Sequence, residues 1–205
     1  MDAVLISSDG ETILFVESKF TETFSSQSWD RVMPESYYLP EKYFMNFNEK
    51  WIPFLNNIKL NKTMLLKNGK YLDLKQDLCH CIGIYNFVNR YNIFGEKYDD
   101  FKKWDFLNTD GCLSKVDLRN ISNYNFMNLE YEPDKSEYSE LFERYDLAEK
   151  DGLKFGEEIR PDIFNGVPFN YYFYSYKDFA NECLPDGDHK KLFMKKYLIK
   201  KTEGE

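Results

Sequence analysis

Two short apolar runs, Ala3-Val4-Leu5-Ile6 and Thr12-Ile13-Leu14-Phe15-Val16, flank the turn-forming segment Ser7-Ser8-Asp9-Gly10-Glu11. Asp-Gly between two runs of β-formers predicts a hairpin with Asp9 and Gly10 as its two-residue loop, since a type I′ turn needs positive φ at both central positions. Both runs are apolar at consecutive rather than alternate positions, so both strands are expected inside a sheet covered on its two faces. Such a loop also fixes the register. Paired positions sum to 19: Ser8 with Glu11, Ile6 with Ile13, Val4 with Phe15, and Asp2 with Glu17. Directly opposed residues share a face, and Lys19, two residues beyond Glu17, projects from that same face.

The register therefore gathers two carboxylates and one ammonium. Carboxylates that close repel unless one is protonated or a cation binds between them. Oxygen ligands of this kind suit Mg²⁺ or Mn²⁺, with Asp2 and Glu17 as the metal-binding pair. A metal so held polarises a phosphate and acidifies an attacking water, and Lys19 is placed to stabilise the charge that develops. The bland reading of the same residues is a surface ion pair at a frayed hairpin end, which would contribute little.

Beyond the hairpin, residues 24–70 read as irregular, with Pro34, Pro40 and Pro53 interrupting and a short helix expected from Pro40 to Asn48. An amphipathic helix is expected from Asp73 to Asn89, where Leu74, Leu78, Cys81, Ile82, Tyr85 and Val88 form one apolar stripe. Gln76 and His80, four apart, share a different face of it. Residues 121–132 read as a strand ended by Pro133, followed by a helix over 136–150. Phe169 to Ser175 reads as another aromatic strand, then a helix over 177–183. Strands separated by helices predict an α/β layer structure, a single domain over 1–205.

The phosphodiesterase reading is like two known motifs. Asp2-Ala3-Val4-Leu5-Ile6, a turn, then Phe15-Val16-Glu17-Ser18-Lys19-Phe20-Thr21-Glu22 resembles motifs II and III of the PD-(D/E)XK nuclease superfamily, and is most similar to a bacterial restriction-endonuclease-like group. The resemblance implies a mixed central sheet flanked by helices, Asp2 and Glu17 as metal ligands, and Lys19 as the catalytic lysine. Glu22 matches the extended motif. Lys75-Gln76-Asp77-Leu78-Cys79-His80 resembles the helix after the catalytic strands, which implies Gln76 as an auxiliary catalytic residue with His80 nearby. DNA is the implied substrate, and a homodimer the implied assembly. Two departures stand out. Ser18 occupies a position more often apolar, and the helix and strand that usually open the superfamily core are expected to be missing. Pro161-Asp162 is a literal Pro-Asp with no acidic-x-Lys after it.

Composition sets the remaining bounds. With 27 Lys and Arg against 35 Asp and Glu, the formal charge of −8 argues against a non-specific DNA coat, because phosphate binding needs clustered cations. The basic run from His189 to Lys201 is the one local patch, and a terminal helix with a solvated basic face explains it equally well. No signal peptide or membrane-length apolar run is read, so the four cysteines are expected as reduced thiols in a cytoplasmic protein. Cys79-His80-Cys81 matches no common zinc spacing. The alternatives to a nuclease are a catalytically inactive nuclease-fold module for binding or assembly, and an unrelated domain that binds carbohydrate or protein.

Overall fold

The computed structural model describes residues 1–19, 71–89, 104–107, 112–159 and 168–197. The expected helix at 40–48, Glu22 of the extended motif and Pro161-Asp162 lie outside the described residues. The elements are β1 (Ala3–Ile6), β2 (Thr12–Lys19), α1 (Leu74–Asn89), β3 (Trp104–Leu107), β4 (Leu113–Val116), β5 (Asn123–Glu130), α2 (Ser139–Glu158), β6 (Phe169–Ser175), α3 (Tyr176–Cys183) and α4 (Asp188–Tyr197). The chain is α/β, with a four-stranded mixed sheet of order β1-β2-β5-β6 flanked by helices, and β3 pairs with β4 in a separate antiparallel ladder. Among the described residues, no helix is long and apolar enough to cross a membrane.

The hairpin has the register that the sequence predicts: Val4 opposes Phe15 and Ile6 opposes Ile13. Its turn is different. The Gly10 N–H bonds the Ser7 carbonyl at 2.9 Å, the Ser7 N–H bonds the Thr12 carbonyl at 2.9 Å, and Gly10 has φ +74°. The loop thus spans residues 8–11, twice the predicted length. The parity of the register survives because two residues were added rather than one. Side-chain competition accounts for the longer loop: Asp9 Oδ1 accepts the Glu11 N–H at 2.9 Å, and Ser7 Oγ accepts the Thr12 N–H at 2.9 Å. Short polar side chains that bond nearby backbone favour such turns over a tight I′ turn.

Burial of the two strands also divides. β2 lies inside the sheet, paired antiparallel with β1 and parallel with β5. β1 is an edge strand whose burial alternates, and Leu5 is 49 % exposed. An unbroken apolar run was thus a sound guide for β2 and a poor one for β1, whose outer side has no neighbouring strand among the described residues.

One face of the sheet carries Ile13 and Phe15 from β2, Tyr124 and Phe126 from β5, and Phe169 and Phe173 from β6. These pack with Leu74, Leu78, Cys81 and Ile84 of α1 and with Tyr145, Ala148 and Phe155 of α2. Burying each of the large side chains contributes about 1.5–3 kcal/mol. On the opposite face Val16, Leu129 and Tyr176 form a smaller cluster with Tyr174, Phe179 and Phe193. Ser18 faces this second side, where its hydroxyl hydrogen-bonds the Tyr176 phenol. The departure from an apolar residue at position 18 therefore has a partner at the start of α3. α4 holds the basic run as far as Tyr197, the rest lying outside the described residues, with Lys190 paired to Asp186 at 3.1 Å and Lys191 to Asp188 at 3.4 Å.

α2 runs eight residues beyond the predicted end at 150. The extension includes Gly152 and Gly156, which in sequence read as breakers. A Cβ at Gly152 would lie 2.4 Å from Phe173 Cδ2, and one at Gly156 would lie 2.8 Å from Tyr171 Cδ1. The glycines are where the helix backbone comes down onto the aromatic rings of β6, and that packing outweighs their poor helix propensity.

Candidate active site

The inner face of the sheet changes character toward the carboxyl ends of its parallel strands. Ile13 and Phe15 give way to Glu17 and Lys19 on β2, and Tyr124 and Phe126 give way to Asn128 and Glu130 on β5. The register sets Glu17 beside Asn128 and Lys19 beside Glu130. All four polar residues are buried; Glu17 is 4 % and Lys19 8 % exposed. The carboxyl ends of strands are where open α/β sheets receive ligands.

α1 completes the cluster from above. Asp73 caps its first turn, its carboxylate accepting the Gln76 N–H at 3.3 Å. Gln76 holds the position from which a Gln side chain usually reaches back to complete a capping box. Here the side chain goes to the sheet instead. Its Nε2 donates to Glu17 Oε1 at 2.8 Å, and its Oε1 accepts from Lys19 Nζ at 2.5 Å. Lys19 Nζ also donates to Glu17 Oε1 at 2.8 Å. The three side chains form a closed triangle, and a buried ion pair is tolerable when hydrogen bonds complete it in this way.

The second oxygen of the Glu17 carboxylate faces other groups. Oε2 lies 3.1 Å from His80 Nε2 and 3.1 Å from the Met1 amino group. At ion-pair distance but without hydrogen-bond alignment, Glu17 Oε2 and His80 Nε2 are both buried atoms lacking a hydrogen bond, as is Asn128 Oδ1. Burial would raise the Glu17 pKa, but the Lys19 hydrogen bond, the Met1 amino group and the Lys19 and His80 charges outweigh it and hold the carboxyl below its ordinary range. Burial lowers the His80 pKa against the pull of Glu17. The imidazole ring stacks edge-on against Phe126, with centroids 5.6 Å apart.

Of the residues that the sequence singles out, Glu17, Lys19, Gln76 and His80 meet in this cluster. Asp2 takes a different partner: its Oδ2 accepts the Ser18 N–H at 2.7 Å. The pairing of β1 with β2 starts at Ala3 and Val16, and the Asp2 N–H bonds the Val16 carbonyl at 2.9 Å. Past the end of β1 the Asp2 carboxylate replaces a backbone acceptor for the ladder. Among the described residues, no group of three His, Cys, Asp or Glu side chains converges as a ready-made metal cage. Cys79 is exposed and Cys81 buried, as expected for neighbours on a helix, and all four cysteines are free.

The sequence reading missed Asp77. It is 1 % exposed, and its carboxylate accepts from Asn128 Nδ2 at 3.1 and 3.2 Å and from the Tyr171 hydroxyl at 2.7 Å. Burial pushes its pKa up to about 7, against the opposing hydrogen bonds of Tyr171 and Asn128. A signal was available: residues 74, 77, 78 and 81 share one helical face, so Asp77 interrupts the apolar stripe itself. An acid there needs partners, and Asn128 and Tyr171 provide them from two strands.

Comparison with protein-family models, with curated proteins and with solved structures finds no match for this chain.

Proposed function

We propose that the Glu17–Lys19–Gln76 cluster is the centre of a metal-dependent nuclease of the PD-(D/E)XK type, hydrolysing DNA phosphodiesters in the cytoplasm. One observation carries the reading: an acidic residue and a lysine two apart on a central strand are buried together at the strand's carboxyl end, and a helix supplies the glutamine that ties them. The mixed sheet supports a restriction-endonuclease-like fold, with an antiparallel hairpin leading into two parallel strands. A salt bridge kept only for stability has little reason to be buried here, since apolar replacements of similar volume are often equally stable.

The donor set fits a divalent cation. Glu17 Oε2 is a buried carboxylate oxygen without a hydrogen bond. Glu17 would hold the ion, with Asp2 as the second carboxylate once it exchanges its Ser18 amide. The ion supplies Lewis acidity toward the phosphate and lowers the pKa of bound water. Lys19, held by Glu17 and Gln76, presents a fixed positive charge where water is largely excluded, and charge stabilisation is strongest there. Gln76 positions Lys19 and Glu17 relative to each other. The test is cleavage of supercoiled plasmid with Mg²⁺, with Mn²⁺ and with EDTA. Nicking that needs the metal and falls by about 10²-fold or more in Glu17→Gln and in Lys19→Ala is expected. Activity that persists in EDTA or survives both substitutions overturns the assignment.

A second reading, a nuclease-fold module that binds without turnover, draws on Asp2. Its carboxylate already serves the Ser18 amide, so the pair of acids expected for metal is not assembled. Calorimetry separates the two readings, because a silent module takes up no Mn²⁺ at millimolar concentration.

A further inference from the structure

The two oxygens of Glu17 have different surroundings. Oε1 is engaged by Lys19 Nζ and Gln76 Nε2, both at 2.8 Å. Oε2 lies at ion-pair distance, 3.1 Å, from both His80 Nε2 and the Met1 amino group, and the buried Oε2 and Nε2 atoms lack hydrogen-bond alignment. A carboxylate oxygen and an imidazole nitrogen 3.1 Å apart match adjacent corners of an octahedron whose metal–ligand bonds are about 2.1–2.2 Å, since such corners are separated by about 1.4 bond lengths. The imidazole is already oriented, edge-on against fully buried Phe126. Asn128 Oδ1, a third buried polar atom without a hydrogen bond, belongs to the residue beside Glu17 in the sheet.

We propose that Glu17 Oε2 and His80 Nε2 jointly ligate one divalent transition-metal ion, for which paramagnetic Mn²⁺ is the probe, with waters in the positions left open. The proposal rests on the reading of Glu17 as a metal ligand and gives His80, for which the resemblance implies no metal role, the part of a nitrogen donor. The nitrogen sets the choice of metal. Mg²⁺ takes oxygen donors and gives up water reluctantly, whereas imidazole favours later divalent ions. Lys19 and Gln76 hold Oε1, so Glu17 offers one oxygen only. The Met1 amino group also lies 3.1 Å from Oε2, and an ion seated there would take the place of that contact.

The experiment titrates the full chain with MnCl₂ and follows electron paramagnetic resonance, with pulsed detection of ¹⁴N coupling. Wild type is expected to bind one Mn²⁺ with imidazole coupling, and more tightly than Mg²⁺ measured by calorimetry. His80→Gln, which keeps side-chain volume and polarity, is expected to lose the coupling and weaken Mn²⁺ at least tenfold while keeping the wild-type melting curve. Because His189 is the other histidine of the chain, coupling that persists in His80→Gln overturns the proposal. Unchanged Mn²⁺ affinity in His80→Gln overturns it too. Mn²⁺ bound without nitrogen coupling and lost in Glu17→Gln overturns the role of His80 while leaving Glu17 as a ligand. No Mn²⁺ bound by wild type overturns both.

Discussion

Glu17 and Lys19 are close enough to neutralise each other, yet each is also buried enough to be costly alone. Removing one partner of such a pair typically destabilises by about 3–5 kcal/mol, because the other charge stays behind. Glu17→Leu and Lys19→Met are each expected to fall in that range by urea denaturation. The double variant Glu17→Leu/Lys19→Met is expected to be less destabilised than either single one and to nick no plasmid. A double variant as unstable as the sum of the singles would show that the two side chains are not coupled and contribute independently. The residues of this cluster were legible in the sequence for different reasons. Glu17 and Lys19 followed from strand alternation, whereas Gln76 and His80 were marked by the resemblance, with helical spacing placing them on one face. The partner of Asp2 did not follow, since its position depends on where β1 ends, and alternation says nothing about that. Asn128 was also hidden, because a polar residue in a strand normally marks an exposed face.

At the scale of elements, the hairpin, α1, β5 and β6 were readable from periodicity, whereas the end of α2 was not. Gly152 and Gly156 have the same composition whether they stop a helix or let it approach a sheet. Only the rings of Phe173 and Tyr171 beneath them decide. Substitution at two glycines tests this with opposite signs. Gly152→Ala gains up to about 1 kcal/mol of helix propensity but forces a methyl into the Phe173 ring, an overpacking cost of about 1–3 kcal/mol. Its net effect is expected to be destabilising. Gly83, on the exposed side of α1, has nothing within 4 Å of an added Cβ, so Gly83→Ala is expected to stabilise by about 0.5–1 kcal/mol. Thermal melts of the two variants should move in opposite directions.

Across the whole molecule, two buried carboxyl groups one layer apart titrate against each other in their effect on stability. Glu17 has its folded pKa below the ordinary value. The native state therefore binds fewer protons there than the unfolded chain, and its contribution is present above the unfolded pKa and lost as pH falls through the folded one. Asp77 is the reverse case, raised from 3.8 to about 7 by burial. Between about pH 4 and 7 the native state holds a proton that the unfolded chain has released, so stability falls as pH rises through that window and levels off above it, a decline on the order of a few kcal/mol. Growing self-repulsion in a chain of formal charge −8 slopes the same way. Asp77→Asn separates the two effects. It changes the formal charge by one, and its side-chain oxygen can still accept from Asn128 and the Tyr171 hydroxyl. Urea midpoints measured from pH 4 to 8 are expected to fall for wild type and to fall much less for Asp77→Asn, with the variant the more stable protein at pH 8. Parallel slopes for the two would assign the decline to surface charge and leave Asp77 ionised in its buried site.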